Sequence, residues 1–181
     1  MSKTTTEVPT GQHGSLSRMG ADEWSAVAER SAVSFRCRTY WGLYTVKGQF
    51  TQCEGWLSAV PSPRLELRVR AASIDTGNAK RDEHLRSGDF FGVETHPEVI
   101  FVCDDLVETA NGFVACGDLT IAGHVSRHEV PAQLELLSAT RARLHARLEV
   151  DRTSVGLAWN GAGGMIKNRV VVEIDAELAA E

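Results

Sequence analysis

The 181-residue chain has no cysteine pair at C-x-x-C spacing, no basic stripe, and no apolar run in its first 23 residues. Each absence removes a class of protein. Cys37, Cys53, Cys103 and Cys116 are scattered, which argues against a zinc knuckle or a thioredoxin-type motif. In a reducing compartment they stay free thiols. A formal charge of -5 opposes a nucleic-acid surface, because such a surface binds by releasing phosphate counterions from a basic face. The arginine pairs Arg36/Arg38, Arg68/Arg70 and Arg141/Arg143 stand at strand spacing beside apolar neighbours, the pattern of a solvated sheet face. Residues Met1 to Glu23 are rich in Ser, Thr and Gly and hold neither a signal-peptide core nor a membrane span. The expectation is a disordered tail over 1–23, one domain over 24–181, a cytoplasmic location and no transmembrane segment. The Gly161-Ala162-Gly163-Gly164 run lacks the strand, Gly-Lys-Ser/Thr and helix context of a nucleotide loop.

What the chain does have is period-two alternation. Val33, Phe35 and Cys37 oppose Ser34, Arg36 and Arg38; Leu144, Ala146, Leu148 and Val150 oppose His145, Arg147 and Glu149. Leu65 to Val69, Val130 to Leu136 and Val170 to Leu178 read the same way, each a strand with one wet face. With Tyr44 to Leu57, Pro97 to Leu106 and Asn111 to Ile121 the count reaches about eight. Asn111-Gly112 marks a hairpin, and only Asn78 to Ser87 reads as helix. One-sided antiparallel strands around a single apolar interior are what a barrel needs, and closure removes exposed edges. The fold class expected is therefore all-β, an eight-stranded antiparallel barrel with one short helix between its third and fourth strands.

The inner positions mix large residues, among them Phe35, Tyr44, Phe50 and Phe113, with small ones such as Ala71, Ala115, Gly117, Ala132, Ala146 and Ala176. Small residues facing inward leave volume unless neighbours fill it, so parity alone leaves a cavity and a packed core equally open. The clearest strands carry no charge on their inner parity, so any cavity is a dry apolar tunnel with polar contacts at its mouth. Such a site selects a long hydrocarbon, which gains roughly 0.8 kcal/mol per methylene-sized unit buried. The stretch around Gly161 can form a flap, Trp159, Met165 and Ile166 giving an apolar lip and Lys167 a charge beside it.

Between two alternating strands lies the most specific segment, Ala71 to Phe101. Ser73, Asp75, Thr76, Gly77 and Asn78 supply a turn and a helix start. Asp82 and Glu83 fall in the first helical turn, where the dipole favours negative charge. Phe90-Phe91 follows, and His96-Pro97 forces extended backbone into the next strand. This segment, with its S-I-D-T-G-N, R-D-E-H-L-R-S, D-F-F and H-P-E-V-I-F runs, resembles the signature of the YceI-like family. Gly48-Gln49-Phe50, Gly117-Asp118-Leu119-Thr120-Ile121 with Gly123, and Asp151-Arg152 before Gly156 extend the resemblance from about Trp24 to Leu178. It implies a lipocalin-like eight-stranded barrel, a helix covering one end, and a polyisoprenoid ligand such as an isoprenoid-quinone tail. The chain departs from the usual pattern at His124-Val125-Ser126-Arg127-His128 and at Val155 before Gly156.

These readings converge on a binding protein that sequesters or transports a long-chain isoprenoid or similar amphiphilic lipid. Its site residues would be Phe35, Tyr44, Phe50, Leu67, Phe101, Phe113, Leu119, Ile121, Ala146, Trp159, Met165 and Ile166. No cofactor, catalytic residue or metal is expected, and a homodimer stays open. His84 or His96 could instead serve an enzyme acting on a small hydrophobic substrate, and His84, His96, His124 and His128 could gather on a metal. On a helix, however, Arg81 and Leu85 share one face while Asp82 and Glu83 point elsewhere, so the group does not converge as a triad would. Arg81 is expected to tether the helix through backbone carbonyls or Asp89. A stress-related interaction protein with a packed core is the remaining reading.

Overall fold

The strand from Arg141 to Asp151 buries Ala142, Leu144, Ala146 and Val150 while Arg141, Arg143, Arg147 and Asp151 stay in water. This is the alternation of the sequence turned directly into an inside and an outside. The structure is a computed structural model that describes residues 16–39, 42–59, 62–109, 112–158 and 166–181. Among them the strands are β1 (Glu23–Ala26), β2 (Ala32–Thr39), β3 (Tyr44–Phe50), β4 (Cys53–Ser58), β5 (Arg64–Arg70) and β6 (Ile74–Asp75). They continue as β7 (Glu98–Thr109), β8 (Gly112–Ile121), β9 (His124–Ser138), β10 (Arg141–Asp151) and β11 (Ile166–Ala180), with one α-helix, α1 (Ala79–Arg86).

Two of the eight barrel strands are broken by a kink. β1 and β2 run along the same neighbour, β11, and are separated by a 3-10 turn at Ala28–Arg30; β3 and β4 are separated by Thr51 and Gln52. Taken as β1/β2 and β3/β4, they form an antiparallel meander with β5, β7, β8, β9, β10 and β11, and β11 closes the ring by pairing with both β1 and β2. The expected closed, eight-stranded antiparallel barrel is thus present, with α1 between its third and fourth strands. Bulges at Cys103–Asp105, at Arg141–Ala142 and at Ile166–Val170 bend the sheet where it must curve.

One end of the barrel is solid. Trp24 and Leu57 are 1% exposed and pack with Leu134, Ala142 and Leu178. Leu16 and Met19, from a 3-10 turn at Leu16–Arg18 and the residue after it, are buried in the same cluster. Residues 1–15 of the expected tail lie outside the described residues. Trp24 Nε1 donates to the Ala21 carbonyl at 3.0 Å, so the ring is buried with its one polar atom satisfied.

The other end is crossed by α1, which is held by polar ties. Its sequence, AKRDEHLR, has no apolar stripe, and its one buried residue is Asp82. The Asn78 side chain accepts from the Arg81 N–H at 3.0 Å as N-cap. Asp82 Oδ1 accepts from the Thr76 N–H at 3.0 Å and from its hydroxyl at 2.5 Å. Arg81 donates to the Thr76 hydroxyl and carbonyl at 2.7 and 2.9 Å, as expected of a carbonyl tether. Asp89 is not its partner, being held at 3.0 Å by His84 Nε2. The link from α1 to the sheet is Arg86, which donates to the carbonyls of Ala72 and Ile74 at 2.8 and 2.7 Å.

Candidate binding cavity

The inward faces of the strands do not meet. They enclose a cavity of about 700 Å³ that reaches α1, within the range of roughly 300–1,000 Å³ usual for small-molecule sites. Its wall is almost wholly apolar. The alanines expected to leave volume, Ala115, Ala132, Ala146 and Ala176, line it, opposite larger neighbours such as Phe101, Phe113 and Leu144. Gly117 does not create volume: a Cβ there would lie 2.3 Å from the Val102 carbonyl oxygen, so this glycine lets β7 and β8 approach at their bulge. Ala71 is buried beside β5 in a 3-10 turn and is not part of the wall.

Of the residues named from the sequence, Phe35, Phe50, Leu67, Phe101, Phe113, Leu119, Ile121, Ala146 and Ile166 line the cavity. Tyr44 does not. It has the inward parity of Val46 and Phe50, but it pairs with Thr39 at the last rung of β2 and β3, beyond the rim, and is 65% exposed. Trp159 and Met165 fall outside the described residues, and so does the expected Gly161 flap. Phe35 and Phe50 meet with ring centroids 5.7 Å apart, and Phe50 meets Phe91 edge-on at 5.8 Å. These rings join the wall to the segment after α1.

Most polar groups of the wall gather at the α1 end, Thr39, Asn78, Lys80, Arg81, His84 and Arg152, while Glu66 on β5 stands apart from them toward the other end. Arg152 is the residue the sequence reading missed. It is 5% exposed, and its Nη1 donates to the Leu157 carbonyl at 2.6 Å. The signal was available, because Arg152 continues the even inward parity of β10 by one step past Val150. Cys37 lines the same region, and burial pushes its thiol above the ordinary range while the charge of Arg152 pulls it back.

The histidines do not assemble. His84 pairs with Asp89 and packs edge-on to Phe90 at 5.3 Å. His96 lies against Gly123, whereas His124 lies against Gly156 and contacts the Ala122 carbonyl through Nδ1 at 3.1 Å. His128 faces Ser126 at 2.9 Å, and burial lowers its pKa from the ordinary value of 6.5. Among the described residues, no three His, Cys, Asp or Glu side chains are placed to hold a metal ion. The four cysteines are free thiols, with Cys53 and Cys103 buried.

A closed eight-stranded barrel around an apolar cavity, with a helix across one end, defines a lipocalin-like architecture. Residues 24–178 match the model of the YceI-like domain, and the chain belongs to the YceI-like family. A UPF0312 protein of Staphylococcus epidermidis is 30% identical over 152 residues, covering 75% of this chain and 85% of its own. Among solved structures, BcnA of Burkholderia cenocepacia superposes with a TM-score of 0.77 at 18% identity, covering 84% of this chain and 98% of its own. A polyisoprenoid-binding domain of Saccharophagus degradans, implicated in plant cell wall breakdown, gives 0.75 at 16% identity, covering 87% and 98%. At such identities these two superpositions speak to the fold. No helix among the described residues is long and apolar enough to cross a membrane.

Proposed function

We propose that the protein binds a long-chain isoprenoid lipid, of polyprenyl or isoprenoid-quinone type, in the barrel cavity and sequesters or transports it. The observation that carries this reading is the cavity of about 700 Å³ with an almost wholly apolar wall and most of its polar groups at the α1 end. A hydrocarbon tail gains roughly 0.8 kcal/mol for each methylene-sized unit it buries there, without a hydrogen bond along its length. The polar end suits a head group, and the Saccharophagus domain of the same fold is described as polyisoprenoid-binding. Four unbridged cysteines support a cytoplasmic, reducing location. The ligand-contacting residues would be the nine wall residues named above.

The protein is a carrier in this reading and not a catalyst. His84 lines the cavity and is paired with Asp89, which is the one arrangement that favours an enzyme. Native mass spectrometry of protein purified from its own cells separates the two. A retained long-chain lipid, kept by His84→Ala, is the expected result. An empty barrel, together with turnover of a small hydrophobic substrate that His84→Ala abolishes, would overturn the proposal.

A further inference from the structure

The rim of the cavity carries a feature that lipid binding inside the barrel does not use. Leu43 and Tyr44, at the turn that opens β3, are 79% and 65% exposed, and they sit next to each other in the chain. Two large side chains so exposed side by side offer a contact surface. Their position is specific. Tyr44 pairs with Thr39, and Thr39 and Val46 both line the cavity, so the exposed pair sits at the end of the barrel beside the cavity wall.

The charge around this pair runs against that of the chain. The whole chain is -5, yet the outer face of β2, β3 and the start of β11 carries Arg36, Arg38, Lys47, Lys167 and Arg169. Register brings them together: Arg36 stands opposite Lys47, Arg38 opposite Thr45 next to Tyr44, and the Cys37 thiol reaches the Lys167 carbonyl at 3.3 Å. Arg36 is paired with Glu173, and Arg169 with Glu149 at 3.2 Å. Arg38, Lys47 and Lys167 are exposed and have no acidic partner among the described residues.

We propose that the β2–β3 hairpin end docks on an anionic lipid bilayer, Leu43 and Tyr44 entering the headgroup layer while Arg38, Lys47 and Lys167 lie against its phosphates. Apolar anchors beside unpaired cations are the combination an anionic membrane surface attracts. A second copy of this chain fits worse, because a symmetric contact would set the same three cations against each other. Docked this way, the α1 end of the barrel faces the bilayer. The docking stands on the surface alone and does not depend on what the cavity holds.

The test is flotation of the full chain with vesicles of phosphatidylcholine containing phosphatidylglycerol, against vesicles of phosphatidylcholine alone. The protein should float with the anionic vesicles and be released by added salt, since the surface cations are screened within about 10 Å at 0.1 M. Leu43→Ser with Tyr44→Ser should weaken binding several-fold. Each of Arg38→Gln, Lys47→Gln and Lys167→Gln should lower it about fivefold, the equivalent of about 1 kcal/mol per cation. Arg143→Gln, on the outer face of β10, should leave binding unchanged. Failure of the wild-type protein to float with anionic vesicles would overturn the proposal, as would binding that survives both sets of substitutions. A concentration-dependent dimer that Leu43→Ser dissolves would overturn it too, by making this end an interface between copies.

Discussion

The ring of Phe35 lies against the bare backbone of Gly48, which faces it across β2 and β3; a Cβ on Gly48 would stand 2.4 Å from Phe35 Cζ and 2.9 Å from Thr76 Cγ2. The missing side chain is therefore what holds Phe35 against the wall and keeps the cavity clear. Gly48→Val should cost about 1–3 kcal/mol in urea denaturation and turn the Phe35 ring inward, reducing the lipid retained. Adding Phe35→Ala to that variant should restore part of the stability, because the two changes act on one contact.

A second prediction concerns the tie that holds α1. Asp82 is 5% exposed and accepts two hydrogen bonds from Thr76. Asp82→Ala leaves the Thr76 N–H without its acceptor in a poorly hydrated place, a loss of about 1–3 kcal/mol. Hydrogen exchange should show α1 opening before the barrel. Uniform loss of protection across the strands would contradict the view that α1 is a separately fastened cover.

Much of this was legible in the sequence, and what was not has physical reasons. Alternation reports parity, so β8, β9, β10 and β11 and their inward residues could be read directly. It does not report where a strand leaves the barrel, which is why Tyr44 shares the parity of Phe50 but lies in water. It also hides residues beyond the last apolar position, as with Arg152. Leu16 and Met19 close the solid end from a segment with no periodicity at all. The helix was legible from its cap, Asn78, and from no apolar stripe, because α1 is fastened by Arg86, Arg81 and Asp82.

Acid should act on the protein through two distinct groups. Glu177 accepts from Arg30 at 2.9 Å and also from Arg141, and these bonds hold its carboxyl below the ordinary value of 4.5. A folded-state pKa below the unfolded one means that this contribution is complete above 4.5 and is lost as pH falls through the lower, folded value. His128 is also lowered, by burial, so its contribution is complete above 6.5 and declines below it. Urea melts of Glu177→Gln and wild type should differ at neutral pH and converge in strong acid. Those of His128→Phe and wild type should change relative to each other from about pH 6.5 downward. A gap for Glu177→Gln that is independent of pH would contradict the assignment.

Thiol labelling gives an independent check of strand parity. Cys53 and Cys103 are buried, and burial raises both thiols. Cys37 and Cys116 are half-buried. Alkylation of the native protein should therefore spare Cys53 and Cys103 until it unfolds. Fast labelling of Cys103 would mean that β7 presents its other face to the interior.

The central claim is that the barrel is hollow and takes an apolar chain, and Ala146 tests it most directly. Ala146 is 3% exposed and lies on the cavity wall opposite Ala132 on β9 and Ile174 on β11. In a hollow barrel the ring of Ala146→Phe enters free volume, whereas in a packed one it overpacks the core by roughly 1–3 kcal/mol. Leu67→Asp, which places an unpaired carboxylate on the same wall, should harm folding either way and marks what real damage looks like. The measurement is a melting curve of Ala146→Phe and wild type, with and without a long-chain prenyl alcohol. The account predicts that the two melt alike without ligand and that the alcohol raises the midpoint of wild type alone. Strong destabilisation of Ala146→Phe in the absence of ligand would contradict it.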